Sequence, residues 1–490
     1  KIQELLTMLA VLLSLAMVAP PCAQFGISAI PRFAERVRAS SALTAATTGV
    51  PVRGSPTQAD TDEYIANPAS FCRKRMACDG PMFASGAFGG CVIVGSASAL
   101  QTVLKAATAA DGSDADALPA PFVAHAQGAA GVALYQQHSE AINAACYDTL
   151  FRWIPLYKET GGFGTFKFED FIDRRVRKVT PSARRLLFCA LVPVVLGVPA
   201  AELPTDEKLK TPADWEKAYA AYASTLYGGG GGGAELRSGL LKILGARADE
   251  GSMLRDALSV FSASRAGLDE VPSDARGEVL LRRLAAAIEP TAALLSAMLA
   301  QTRSHPEIEA ELRAEQRAAL EGTKPDAAID SSLLLRMPLL GAYALETLRL
   351  FPPARPQRLR LDTDVVADGF SLPAGTVVAP EPYVSHFIPD EHAMERTFDP
   401  SRFLGETRES PPSLALPGAL RAWGAPGDLL VIETAKACFV QIRRMFDVKC
   451  ANQPPEVRGW PLRCIPDDYE MLVAAGMYYE LQRGTRQLKF

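Results

Sequence analysis

The chain has 490 residues, 48% of them hydrophobic and 22% charged, an ordinary globular composition that can bury one big core or two medium ones. Its formal net charge of −4 leaves no basic excess to neutralise phosphates, which argues against a nucleic-acid partner. The nine cysteines and five histidines are scattered. Cys72/Cys78 and His386/His392 both lack the close spacing of a zinc site, so the cysteines read as buried, reduced thiols and no metal is expected.

Taken in chain order, the first element is Leu5–Pro20, sixteen residues without a charge. About 20 apolar residues span a bilayer, so this run suits a short membrane anchor, with a cleaved signal or a core helix as alternatives. Residues 1–22 are therefore expected to be an anchor helix and 23–57, rich in Ala, Ser, Thr, Pro and Arg, a linker. Residues 58–490 then form one body. Asp60–Gly80 has helical character; residues 82–96 read as two short strands around Gly89-Gly90; residues 97–110 are helical again. Arg184–Pro199 is apolar but interrupted by proline and too short to span a membrane, which predicts a buried helix. Gly228–Gly233 lacks a following Lys-Ser/Thr and reads as a loop tip, not a phosphate cradle. Long helices are predicted over Glu278–Arg303, broken at Pro290, and over Leu333–Leu350. Beyond Pro352 the texture turns to strands, with tight turns at "ADGF" and "LPAGT", then to alternating loop and helix with a β-like tail. The fold class is mainly α with minor β, in one large domain.

The stretch "ETLRLFPPARP" makes the chain recognisable. Glu346-Thr-Leu-Arg349 followed by "LFPP" resembles the Glu-x-x-Arg helix of the cytochrome P450 family. "LPAGT" and "FDPSRF" resemble the family's Pro-x-Gly-Thr turn and Phe-x-Pro-x-Arg-Phe element, in the same order. The likeness extends over about residues 58–480 and implies a P450-like fold. It also implies that Glu346, Arg349 and Arg402 form a buried structural triad, since buried charges without partners are expensive.

The same resemblance implies a haem-ligating cysteine in a Cys-x-Gly element. Counting forward from "FDPSRF" and back from "RRMFD" places that element at Ala425-Pro426-Gly427, so the ligand position is alanine. The preceding family positions hold Gly418, Arg421 and Trp423, and only Gly427 matches. An alanine methyl has no lone pair for iron, and thiolate donation is what favours O–O cleavage in thiolate-bound haem. Cys438 and Cys450 lie too late to substitute. The oxygen-activation helix is also degenerate: Ala286-Ala287-Ile288-Glu289-Pro290-Thr291 carries proline at the first threonine place. In "YQQHSEAINAACY" His138 is kept, while the propionate-binding arginine corresponds to Ile142; Arg358 or Arg360 remain possible haem or anion contacts.

An intact folding triad beside absent haem-supporting features leads to the expectation of a haem-free pseudoenzyme. It would be a structural or interaction subunit at a membrane, with protein partners in a larger complex and no cofactor, in the endoplasmic reticulum or a plastid membrane. Two alternatives stay open. One is a divergent haem-dependent monooxygenase or an allene-oxide-synthase-like hydroperoxide lyase/isomerase, suggested by mild likeness in "PGDLLVIETAKACFV". The other is a lipid- or pigment-binding protein using the emptied pocket.

Overall fold

The computed structural model describes residues 50–51, 59–87, 90–109, 126–151, 174–196, 203, 209–225, 233–246, 276–323, 327–351, 358–381, 384, 397–404, 425–450, 465 and 468–475. The anchor expected at 1–22, most of the expected linker, Gly228–Gly232, His386 and His392 lie outside them, as do Gly418, Arg421 and Trp423. Val50–Phe490 form one compact unit.

Four helices make its centre. Helix α4 (Ala126–Phe151) packs on α5 (Val179–Leu196) and on α12 (Ala425–Met445), and α8 (Arg276–Ser304) closes the ring by packing on α5 and α12. Between α5 and α8 come α6 (Pro212–Thr225) and α7 (Ala234–Ala246); after α8 come α9 (Pro306–Leu320), α10 (Ser331–Leu335) and α11 (Pro338–Leu350). The main hydrophobic core fills this assembly, from Tyr135 and Ile142 on α4 through Leu294 and Met298 on α8 to Phe439 and Ile442 on α12. Arg184–Leu196 lies within α5, the buried apolar helix that its composition predicted.

Two of the predicted helices come out differently. Pro290 does not interrupt α8, which runs unbroken through it. Proline has no N–H for the Ala286 carbonyl, but every residue from Ile288 to Ala300 is buried, and packing on both sides holds the helix together. The predicted Leu333–Leu350 helix is instead two, α10 and α11, separated at Pro338. Here proline opens a helix, where its missing N–H costs nothing, and Met337 before it takes a non-helical conformation (φ −121°, ψ 67°).

The strands gather outside the ring. Strands β2 (Met82–Ser85) and β3 (Cys91–Val94) form the expected hairpin, with Met82 opposite Val94, and a five-stranded sheet continues in the order β2-β3-β9-β6-β4. Its other members are β4 (Ala107–Ala109), β6 (Leu359–Leu361) and β9 (Val377–Pro380). Helices α1 (Ala59–Ala66) and α2 (Pro68–Asp79) cover one part of it, with Tyr64 and Phe71 clustered with Phe83 of β2; α3 (Ala97–Lys105) covers another through Leu100 and Val103. Strand β1 (Val50–Pro51), inside the stretch read as linker, pairs in parallel with β8 (Phe370–Leu372), which pairs with β7 (Val365–Ala367). A third sheet, β10-β11-β5, joins β10 (Phe446–Cys450), β11 (Glu470–Ala475) and β5 (Arg174–Lys178); β11 is the β-like tail.

Both predicted tight turns are present. Asp368 (φ 49°) and Gly369 (φ 79°) link β7 to β8 with two positive φ angles, the geometry of a type I′ hairpin. In the second turn the Thr376 amide donates to the Pro373 carbonyl at 3.1 Å, with Gly375 at φ 83°, a type II arrangement.

A Cβ at Gly369 or at Gly341 on α11 would meet no atom within 4 Å, so only backbone conformation separates the two sites. Gly369→Val is expected to destabilise the protein by about 1–3 kcal/mol. Gly341→Ala, at helical φ, is expected to stabilise it by about 0.5–1 kcal/mol. Denaturant midpoints that move the same way in both variants would contradict this account.

Candidate functional site

The site assembles where α8, α11, α12 and the segment 397–404 converge. Glu346 and Arg349 sit one turn apart on α11, and neither is exposed. The arginine donates through Nε to Glu346 Oε2 at 2.7 Å and through Nη2 to Oε1 at 2.8 Å, a two-pronged pair. The same Nη2 donates to the Thr397 carbonyl at 3.1 Å. Glu346 Oε1 also accepts the Asp399 amide at 2.8 Å and lies 3.5 Å from Arg402 Nε. Glu346, Arg349 and Arg402 are thus brought together. The short 3-10 turn Pro400–Phe403 carries Arg402 into place, capped by the Asp399 carboxylate accepting the Ser401 amide. A hydrogen bond from the Ser401 side chain, with a smaller contribution from that amide, holds the Asp399 carboxyl below its ordinary pKa.

An aromatic relay extends this knot, one that sequence reasoning missed. Phe398 stacks on His305 with ring centres 4.7 Å apart and meets Tyr343 edge-on at 5.3 Å. Tyr343 donates its hydroxyl to the Met298 carbonyl of α8 at 2.7 Å and leans on Phe439 of α12. Arg443 lies over Phe439, 5.0 Å from the ring centre, and donates to Glu309 at 2.8 Å; Glu309 also holds Arg313, which reaches Asp447. The signal available beforehand was the periodic placement of aromatics, which core packing explains equally well.

The oxygen-activation positions face elsewhere. Glu289, 3% exposed, takes Arg184 Nε of α5 on both carboxylate oxygens at 3.0 and 3.1 Å. Tyr219 of α6 adds a hydrogen bond at 2.9 Å. This carboxylate fastens α8 to α5 and α6. Thr291 is fully buried, and Ala286 and Pro290 lie in the same helix.

Of the anion contacts considered, His138 on α4 is half-buried, and burial lowers its pKa. Ile142 is wholly buried in the core. Arg360 is exposed on β6 and donates to the Gly375 carbonyl at 3.2 Å; Arg358, just before β6, is half-buried near Cys91.

Helix α12 opens at Ala425 and includes Gly427. A methyl group at its first residue offers no donor to a metal. The thiols further on are turned inward: Cys438 faces Cys146 of α4, and Cys450 donates to the Leu299 carbonyl at 3.5 Å, burial pushing its pKa up to about 11. Among the described residues no group of three His, Cys, Asp or Glu side chains could hold a metal.

Against known proteins, the family model described as Cytochrome P450 matches residues 255–417, ending before the segment that contains Ala425. The chain is 27% identical over 195 residues to the human protein "25-hydroxyvitamin D-1 alpha hydroxylase, mitochondrial", covering 40% of this chain and 37% of that one. It is 31% identical over 165 residues to mouse Cytochrome P450 3A13, covering 34% and 32%. It thus spans about a third of the length of these curated relatives. The fold matches far more widely. A retinoic-acid-bound cyanobacterial CYP120A1 aligns with TM-score 0.63 at 19% identity, over 85% of this chain and 96% of that one. The cytochrome P450DA heme domain gives 0.65 at 15%, over 89% and 98%.

Arg349→Ala would strand Glu346 without water or its main partner, and is expected to lower unfolding free energy by about 3–5 kcal/mol. Arg402, farther away and partly exposed, should cost less as alanine. Equal losses in denaturant melts, or none, would overturn this ranking.

Proposed function

The chain belongs to the cytochrome P450 family, and from that premise we propose that it works as a haem-free scaffold, a pseudoenzyme serving as an interaction subunit at a membrane. The observation that carries this reading is Ala425. The helix that in the resemblance follows the iron-binding cysteine starts here on a methyl side chain. Among the described residues, Cys438 and Cys450 are buried within the core, and His138 is half-buried on α4. The residues present do not fit a thiolate-held haem, so no haem-dependent step is assigned to them.

Two further features support a scaffold. Glu289, in the place of the family's acid, has its carboxylate occupied by Arg184 and Tyr219, which suits a fastening better than a proton relay. The buried hub of Glu346, Arg349 and Arg402 keeps the body folded whatever stands at residue 425. The relatives' names describe a hydroxylase and a P450, and the proposed role departs from what those names describe.

The test of cofactor content uses the full chain, produced with a haem precursor and purified. Pyridine haemochrome and reduced-CO spectra are expected to give no stoichiometric haem. A Soret band with one haem per chain would sink the reading.

Membrane attachment is assigned to residues 1–22. Among the described residues no helix is long and apolar enough to cross a membrane. Sixteen helical residues extend about 24 Å against a hydrocarbon core of roughly 30 Å, so packing on a partner helix or snorkelling of Lys1 and Glu4 would relieve the mismatch. A chain lacking residues 1–22 should leave membranes on carbonate washing while the intact chain stays. Equal retention of both would assign the attachment to the body instead.

A further inference from the structure

Two thiols from distant parts of the chain meet inside the four-helix ring. Cys146 on α4 and Cys438 on α12 are 292 residues apart in sequence, yet their sulfurs lie 3.3 Å from each other. Both side chains are fully buried, at 1% and 0% exposure. The register that brings them together is fixed by neighbours. Gln441, three residues on along α12, donates to Asn143 Oδ1, three residues back along α4, at 3.0 Å, as antiparallel helices require. Asn143 in turn donates to the Ile329 carbonyl, which also accepts the Tyr135 hydroxyl. Other described thiols have different surroundings. Cys189 donates to Glu216, Cys91 to the Ala87 carbonyl and Cys450 to the Leu299 carbonyl.

We infer that Cys146 and Cys438 are a disulfide-forming pair that cross-links α4 to α12 as the chain folds. A disulfide has its sulfurs about 2.0 Å apart, so the sulfurs must close by little more than 1 Å. The oxidant is a low-molecular-weight disulfide. One cysteine thiolate attacks it, its S–S bond breaks, and one small thiolate leaves with the electron pair. The second cysteine thiolate then attacks the protein-side sulfur of the mixed disulfide and expels the other small thiolate. Two protein thiols are oxidised, one small disulfide is reduced to two thiols, and the cysteine protons end on those thiols.

Burial sets the timing. Its hydrogen bond to Cys438 and its burial raise the Cys146 thiol well above its ordinary pKa, so the folded chain holds almost no thiolate there. Exchange therefore precedes the closure of α12 on α4, and the same burial afterwards shields the bond from reductants. The inference does not depend on the haem-free reading, since neither cysteine is in the ligand loop.

The experiment translates the full chain in a cell-free system buffered with oxidised and reduced glutathione, and in parallel with dithiothreitol. Denatured alkylation and peptide mapping then follow. The glutathione product should carry two fewer alkyl groups than the reduced one, with one linked peptide joining Cys146 to Cys438. Its melting temperature should be higher by about 5 °C, because the bond closes a very long loop. C438S should lose both the link and the shift, and C72S should keep both. If C438S does not fold, the wild-type map still decides. Free, separately alkylated Cys146 and Cys438 in the glutathione product, or links scattered among other cysteines, would overturn the proposal.

Discussion

The Glu346 carboxylate is wholly buried against the Arg349 guanidinium, and this pairing organises much of what surrounds it. An ion in such a place needs partners on both oxygens. Arg349 supplies two hydrogen bonds from the same helix, but the remaining capacity of Glu346 Oε1 draws in the Asp399 amide and the Arg402 guanidinium. The segment 397–402 must therefore pass against α11 in one register. Once it does, Phe398 falls between His305 and Tyr343, and through Tyr343 the segment is tied to α8 and α12.

That chain of contacts ties together a body with a P450-like fold. The positions of α8, α11 and α12 follow from the buried ion pair and the aromatic stack. Neither includes residue 425. The contacts that hold the fold are thus made by other residues than the one at 425.

Within α8 the same separation is visible at closer range. A proline in mid-helix removes one hydrogen bond and crowds the preceding turn, a cost of about 3 kcal/mol in isolation. Burial along Ile288–Ala300, with Glu289 clasped by Arg184 and Tyr219, offsets that cost.

The sequence by itself determined whatever depends on near neighbours. Turn chemistry at Asp368-Gly369 and Gly375, the hairpin around residues 82–96 and the apolar helix at 184–196 were all legible. So were the triad residues, because their spacing is a property of one helix and one short motif. Tertiary structure alone decided the rest. The continuity of α8 through Pro290 depends on helices packed against it. Pairing of Val50–Pro51 with β8, and of Cys146 with Cys438, joins residues hundreds of positions apart. No local period encodes which faces meet, since an apolar stripe fits any complementary stripe. The choice among them is made when the whole core closes.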